Sequence, residues 1–412
     1  MRNPIKAMAA LLAMLLGPTS ALAQSAISTQ PVQQSERAMF APTSQMIENG
    51  RSIAASTCAE CHGLDGLKAD PGTPFLAGQR AVYLYRVMRA FQNPGTQRST
   101  MQHAGEFLNN QALLDVSAYY ASLSPARKPA QATAAEQQRP PADDPFAGIR
   151  DTLRKCTKCH GETGNSKASG MPNLTAQDPV YFDSAMQAYI DGNREHRIMQ
   201  RLAAGLDAET VRQLGIFFAV QEPARSETAG EGNPQAGGAL ADKCASCHGA
   251  DGNAESAKVP SLAGQDARYF VKAMEEYREG ERKHDSMIKE AGSLSEQQTA
   301  DLAAFYTSQE PQRRQVRRPF TVAEWIDRCQ RCHGLGGNST DPRFPMLAGQ
   351  EASYLRKVLK AYAEGGNGAS TMHAMASPLT TSDIDQLADF YSAQEPKAVV
   401  YLQLPCTGSN ED

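Results

Sequence analysis

Beyond its first two dozen residues the sequence lacks any apolar run of the roughly 20 residues that a bilayer crossing needs, so no transmembrane segment is expected in the mature chain. It also lacks a basic excess. Lys and Arg number 41 against 45 Asp and Glu, a formal net charge of -4, and no basic stripe suggests a nucleic-acid partner. Convincing period-two strand patterns are missing, which argues against a β or α/β architecture. Tryptophan is nearly absent, with Trp325 standing alone. Spare cysteines are missing too: of nine, eight fall into four copies of one short motif and only Cys406 is left over. With 412 residues of ordinary globular composition, the chain has room for several domains of roughly 100 residues.

What is present begins with a leader. Arg2 and Lys6 precede a short apolar stretch from Ala7 to Leu16, followed by a small-x-small site at Ala21-Leu22-Ala23. This reads as a secretory signal over residues 1–23, with the mature chain starting near Gln24. Removing the two cations takes the formal charge from -4 to -6. Such a mildly acidic surface is a solvated face that can also steer a basic partner.

The recurring motif is CxxCH: Cys58/Cys61/His62, Cys156/Cys159/His160, Cys244/Cys247/His248 and Cys329/Cys332/His333. Counting from each histidine as zero, glycine recurs at +1 and +4, proline at +12 (Pro74, Pro172, Pro260, Pro345) and leucine at +14. Tyrosine recurs at +21, methionine at +39 (Met101, Met199, Met287, Met372) and an aromatic pair at +57 and +58. Self-similarity at that length makes four tandem cassettes. Between them lie a Pro/Ala/Gln-rich linker and two shorter joints, "ARSETAGEGNP" and "QRRQVRRP", which tie cassettes two, three and four more closely than one and two. Helices are expected ahead of each CxxCH, through "AVYLYRVMRAF" and "ARYFVKAMEEY", and through "LSEQQTADLAAFYTSQ" with Ser295 as its cap.

A redox CxxC belongs near a βαβ pattern and a zinc ribbon needs a second CxxC; each cassette has neither. The spacing instead suits covalent haem c: both thiols form thioethers and the adjacent histidine is the proximal iron ligand. Export agrees, since haem c is attached after translocation. Two readings remain for the methionine column at +39, axial ligation or packing. Ligation is favoured because the column has no exception and sits in polar, non-helical surroundings. A competing column at +26 (Met88, Met186, Met274, Leu359) tolerates leucine and reads as core. His103, His196, His284 and His373 crowd the same loop at irregular offsets and read as exposed. Met375 is a local alternative to Met372. A filled His/Met set leaves the iron without an open position and raises its potential relative to two histidines.

The stretches "CASCHGADGNAESAKVPSLAGQDARYFVKAMEEYREGERKHDSMI" and "CQRCHGLGGNSTDPRFPMLAGQEASYLRKVLKAYAEGG" resemble class I cytochromes c, and more narrowly the diheme periplasmic cytochromes of the c-four type. The resemblance implies an all-α fold of four small cytochrome c domains, amounting to two diheme-like units in series. It implies four haem c groups held by Cys58, Cys61, Cys156, Cys159, Cys244, Cys247, Cys329 and Cys332. Their iron ligands would be His62 with Met101, His160 with Met199, His248 with Met287 and His333 with Met372. Two departures stand out. Ala176 replaces the glycine of "LAGQ", which relaxes a close backbone approach. Gly50, Gly148 and Gly237 or Gly238 suit the glycine at which first and last helices cross, but "TVAEWIDRC" has none, leaving Trp325 as a filler.

The expected layout is a signal peptide (1–23), an N-terminal segment (24–45), domain one (46–125), a linker (126–145), domain two (146–224), domain three (232–311), domain four (320–397) and a tail (398–412). The expected role, which the resemblance implies, is a periplasmic electron carrier rather than an enzyme. It would take electrons from a membrane-bound quinol-oxidising complex or dehydrogenase and deliver them to a terminal oxidase or reductase. Alternatives are a cytochrome subunit of a dehydrogenase complex, or a multihaem oxidoreductase with one substrate-binding haem.

Overall fold

The computed structural model describes residues 30–68, 70–92, 100–125, 144–365 and 370–401. The leader, most of the Pro/Ala/Gln-rich linker and Cys406 lie outside the described residues. Among those described the architecture is all-α, and the one β feature is an isolated bridge. Cassette one contains α1 (Gln34–Arg37), α2 (Ser44–Ile53), a π-helical turn (Ala54–Cys58), α3 (Ala59–His62), α4 (Ala81–Phe91), α5 (Thr100–Glu106) and α6 (Asn110–Ser122). Cassette two contains α7 (Arg150–His160), α8 (Pro179–Ile190), α9 (Arg197–Ala203) and α10 (Ala208–Val220). Cassette three contains α11 (Pro234–His248), α12 (Ala267–Glu279), α13 (Asp285–Gly292) and α14 (Glu296–Ser308). Cassette four contains α15 (Val322–His333), α16 (Ala352–Ala363), α17 (Thr371–Ala376) and α18 (Thr381–Ala393).

Local chemistry explains these boundaries. Every CxxCH helix stops at its histidine because the next residue is a glycine at φ between 74° and 82° with ψ between 151° and 165°, a region open essentially to glycine alone. A Cβ at Gly161 would also stand 2.2 Å from the Asn165 carbonyl oxygen. The last helices begin at side-chain caps: Asn109, Asp207, Ser295 and Thr380 each accept a backbone N–H. Ser295 forms a full capping box with Gln298, as the sequence led us to expect.

In cassettes one and three the first and last helices cross where a glycine lets backbones touch, whereas Gly148 of cassette two, expected to do the same, is exposed in the turn Ala147–Ile149 ahead of α7. A Cβ on Gly50 would lie 2.2 Å from the Asp115 oxygen on α6, and one on Gly237 would lie 2.0 Å from the Asp301 oxygen on α14. Gly237 is therefore the crossing residue of cassette three; Gly238 is the roomier neighbour, with its nearest contact at 3.4 Å. Gly50 stands one residue further from its histidine than Gly237 does, and the π turn Ala54–Cys58 absorbs that extra residue. Cassette four, lacking a glycine, buries Val322, Trp325 and Ile326 instead. Behind the crossings lie apolar cores such as Phe182, Met186, Leu214 and Phe218, or Phe270, Met274, Leu302 and Tyr306. Each such side chain contributes roughly 1.5–3 kcal/mol of burial. Met186 and Met274 are thus core, in line with the packing reading of the +26 column.

Cassettes pair, but not in series. One unit joins Met1–Pro141 to Glu324–Asp412, which is cassette one with four, and the other is Ala142–Ala323, cassette two with three. The expectation that cassettes two, three and four are tied most closely is corrected accordingly. Cassettes two and three are neighbours along the chain, whereas cassettes one and four are its first and last. The fastener is the glutamine at +17, whose side-chain amide docks on the backbone of residue +13 across the seam. Gln79 Nε2 donates to the Met346 carbonyl (3.0 Å) while Met346 N–H donates to Gln79 Oε1 (2.7 Å). Gln350 does the same to Phe75, at 3.0 and 2.7 Å. In the second unit Gln177 clasps Ser261 (2.8 and 3.1 Å) and Gln265 clasps Asn173 (3.0 and 2.7 Å). All four glutamines are buried, so both amide groups and both peptide groups depend on these bonds.

Candidate functional site

Each CxxCH histidine is buried at the end of its helix and presents a fixed nitrogen. Nδ1 lies within hydrogen-bonding distance of the carbonyl of the +12 proline: His62 to Pro74 at 3.1 Å, His160 to Pro172 at 3.1 Å, His248 to Pro260 at 2.9 Å and His333 to Pro345 at 3.0 Å. A carbonyl only accepts, so Nδ1 must carry the proton. Nε2 is then a lone pair that takes no protein hydrogen bond among the described residues. Burial pushes all four imidazole pKa values down, partly offset by the proline carbonyl, which keeps them neutral and ligand-ready. The +12 proline therefore does more than shape a loop: it sets the tautomer.

The two thiols of each motif differ. Cys58, Cys156, Cys244 and Cys329 are half-buried, whereas Cys61, Cys159, Cys247 and Cys332 are exposed. Burial, slightly offset by the nearby tyrosine hydroxyls, raises the Cys58 and Cys329 thiols to about 11. All eight are free, and none pairs as a disulfide. The buried hydroxyls of Tyr306 and Tyr391 lie beside the Cys244 and Cys329 thiols and find no other partner among the described residues. Four neutral histidines with an open Nε2, each beside two free thiols, fit a covalent haem. When bound, haem c supplies a one-electron iron couple at each histidine.

The +39 methionines stand on short helices, and this corrects the non-helical surroundings expected for them. Met101 is on α5, Met199 on α9, Met287 on α13 and Met372 on α17. Polar residues at these segments made a loop the natural expectation, but in two of them a cap starts a helix: His196 Nδ1 accepts from Met199 N–H at 3.3 Å and Ser370 accepts from His373 N–H at 3.1 Å. Met199 and Cys156 both pack against the core cluster that contains Met186, and Met287 and Cys244 both pack against the one that contains Met274. His373 is tethered by its ring to the Tyr362 carbonyl at 2.6 Å.

Ala176 also departs from expectation. It keeps the left-handed backbone of its glycine counterparts, with φ 61° against 65°, 67° and 68° at Gly78, Gly264 and Gly349. The turn is preserved and the alanine bears the strain.

Residues 47–124 and 234–309 match the family model Cytochrome c, and residues 322–390 match that of cytochrome C oxidase, cbb3-type, subunit III. Cytochrome c4 of Pseudomonas aeruginosa is 34% identical over 175 residues, covering 39% of this chain and 87% of that protein. The chain belongs to the class I cytochrome c family. Its repeats are of the cytochrome c4 kind, so it is a haem c electron-transfer protein. A protein of Thiomonas intermedia described as thiosulfate dehydrogenase electron acceptor is 30% identical over 172 residues, covering 37% of this chain and 79% of that one. The solved cytochrome c4 of Acidithiobacillus ferrooxidans has 27% identity, covers 38% of this chain and 98% of its own, and superposes with a TM-score of 0.36.

No helix among the described residues is long and apolar enough to cross a membrane. Sequence reasoning missed two parts of this cytochrome. One is the clasping glutamine, although its column was in plain view in "LAGQ" and "LTAQ". The other is a buried arginine pair at the seam of cassettes two and three. Its only sequence signal was Arg at +34 in two of four copies.

Proposed function

We propose that the chain is a periplasmic tetrahaem carrier whose four covalent haems are held by the eight motif cysteines. The irons would be ligated by His62 and Met101, His160 and Met199, His248 and Met287, and His333 and Met372. The observation that carries this reading is the recurring bond from Nδ1 to the +12 proline, which leaves Nε2 ready as a ligand in every cassette. With methionine as sixth ligand no iron position is open to substrate, so the protein passes electrons and does not turn over a small molecule. The donor is a membrane-bound quinol-oxidising complex or dehydrogenase and the acceptor an oxidase or reductase. Domain boundaries follow the cassettes as 46–125, 146–224, 232–311 and 320–397, behind a cleaved leader of residues 1–23.

A second reading, a cytochrome subunit that serves a dehydrogenase, draws on the likeness to a thiosulfate dehydrogenase electron acceptor. Stopped-flow mixing of the oxidised holoprotein with membranes tests the carrier role. Rapid reduction by quinol-oxidising membranes and reoxidation by oxidase membranes, without turnover of thiosulfate or peroxide by the protein alone, is expected. Catalytic turnover by the isolated protein would sink the carrier reading.

A further inference from the structure

At the seam of cassettes two and three, Arg194 and Arg282 face each other across the isolated antiparallel bridge, fixed by Glu195 N–H to the Glu281 carbonyl and Lys283 N–H to the Asn193 carbonyl, both at 2.8 Å. Each arginine is 7% exposed. Arg194 Nη2 donates to the Tyr269 hydroxyl at 2.5 Å and its guanidinium lies 4.6 Å from the Tyr189 ring centroid. Arg282 Nη2 donates to Glu276 at 2.6 Å, and its guanidinium lies 5.2 Å from the Tyr277 ring centroid. The Nε of both arginines has no partner among the described residues. Of the two guanidinium groups only that of Arg282 bonds a carboxylate, Glu276, on which Lys272 Nζ also lies at 3.8 Å, so cations outnumber carboxylates in a nearly closed space.

Arginine cannot shed its charge, and an uncompensated buried cation costs several kcal/mol. Rings stacked on its faces leave the edge of the guanidinium as the direction from which an anion can bond. That edge is a planar fork suited to a carboxylate. Tyr269 records the excess cation: burial raises its pKa, but the two guanidinium groups outweigh this and draw it below the usual phenol range. The +34 residues of cassettes one and four are Thr96 and Asn367, so the arrangement belongs to one unit alone. Across the other seam Arg80 spends its Nε and Nη1 on the Ser339 and Gly78 carbonyls.

We propose that Arg194 and Arg282 form a shared carboxylate seat for the propionate groups of the haems in cassettes two and three. This rests on the haem reading of those cassettes. A cation held against a propionate offsets its negative charge and favours ferrous over ferric iron, so the seat raises the potentials of that pair.

Spectroelectrochemistry of the holoprotein, with four haems counted first, tests it. Arg194→Gln and Arg282→Gln should each lower two of the four midpoint potentials and leave two unchanged. The expected size is a roughly tenfold fall in the ferrous-to-ferric ratio at fixed potential, about 59 mV for one electron. Arg194→Lys, which keeps charge but loses the fork, should fall less. Glu276→Gln removes the competing carboxylate and should raise the same two potentials; it decides the matter if the glutamine variants do not fold. A folded double variant with all four potentials unmoved overturns the proposal, as does a null or downward shift in Glu276→Gln. Wild-type potentials that move with added phosphate would assign the seat to solvent anions and overturn the propionate assignment. A haem count below four would instead sink the reading on which the seat rests.

Discussion

The seam between cassettes one and four and the seam between cassettes two and three are closed by the same pair of glutamine clasps, yet they are lined differently. In the first, Tyr83 meets Tyr354, and burial together with the neighbouring hydroxyls of Tyr354 and Tyr362 holds the Tyr83 phenol well above its usual pKa. A buried ion pair sits behind it, with Arg86 Nε bonded to Glu36 at 2.7 Å and its Nη groups reaching the Gln30 and Pro31 carbonyls, so that the N-terminal segment is pinned to α4. In the second, the corresponding aromatics surround Arg194 and Arg282, and an extra backbone bridge joins the cassettes. Because the clasp recurs in all four cassettes, it cannot choose partners. The residues that differ between seams are the ones available to specify one-with-four and two-with-three.

That contrast can be sharpened first at the iron ligands. Met287→Ala should convert one of the four haems from low-spin to high-spin and lower its potential while leaving its attachment intact, read by ferric EPR and redox titration. Met372→Ala should lose less low-spin signal, because Met375 stands three residues on along α17. Equal losses would erase this difference between the units.

Next in size is the helix crossing. Gly237→Ala forces a Cβ into the Asp301 backbone and should destabilise the unit of cassettes two and three by about 3 kcal/mol, leaving the other unit's calorimetric transition in place. Movement of both transitions would show that the units do not unfold separately.

Gln265→Leu leaves the Asn173 N–H and carbonyl unpaired in a buried seam, a loss of about 2 kcal/mol. Hydrogen exchange should then rise at the seam of cassettes two and three and not at that of one and four. Smallest is Ala176→Gly, expected to stabilise the same unit by about 0.5–1 kcal/mol, since glycine adopts φ 61° without the Cβ clash. A loss of stability in chemical denaturation would mean that the alanine methyl contributes packing worth more than the strain.

Much of this was legible in the chain itself. The histidine and cysteine columns, the cap at Ser295 and the crossing glycines at Gly50 and Gly237 rest on local rules that one cassette obeys on its own. The pairing was not legible, because a clasp between a side chain and a backbone 84 residues or more away leaves no local period. The helices under the +39 methionines were hidden for another reason. They are six to eight residues long, too short to show a helical period, and among the described residues side-chain caps start only two of them, at His196 and Ser370. The shift from Gly50 to Gly237 was visible as an offset but needed the π turn to explain it.

The most direct test is ferric EPR on holoprotein whose covalent haem content has been measured by mass. Four haems, all low-spin with methionine-type ligation, are predicted. Three such haems with one high-spin or differently ligated centre would contradict the carrier account and make that centre a site for substrate.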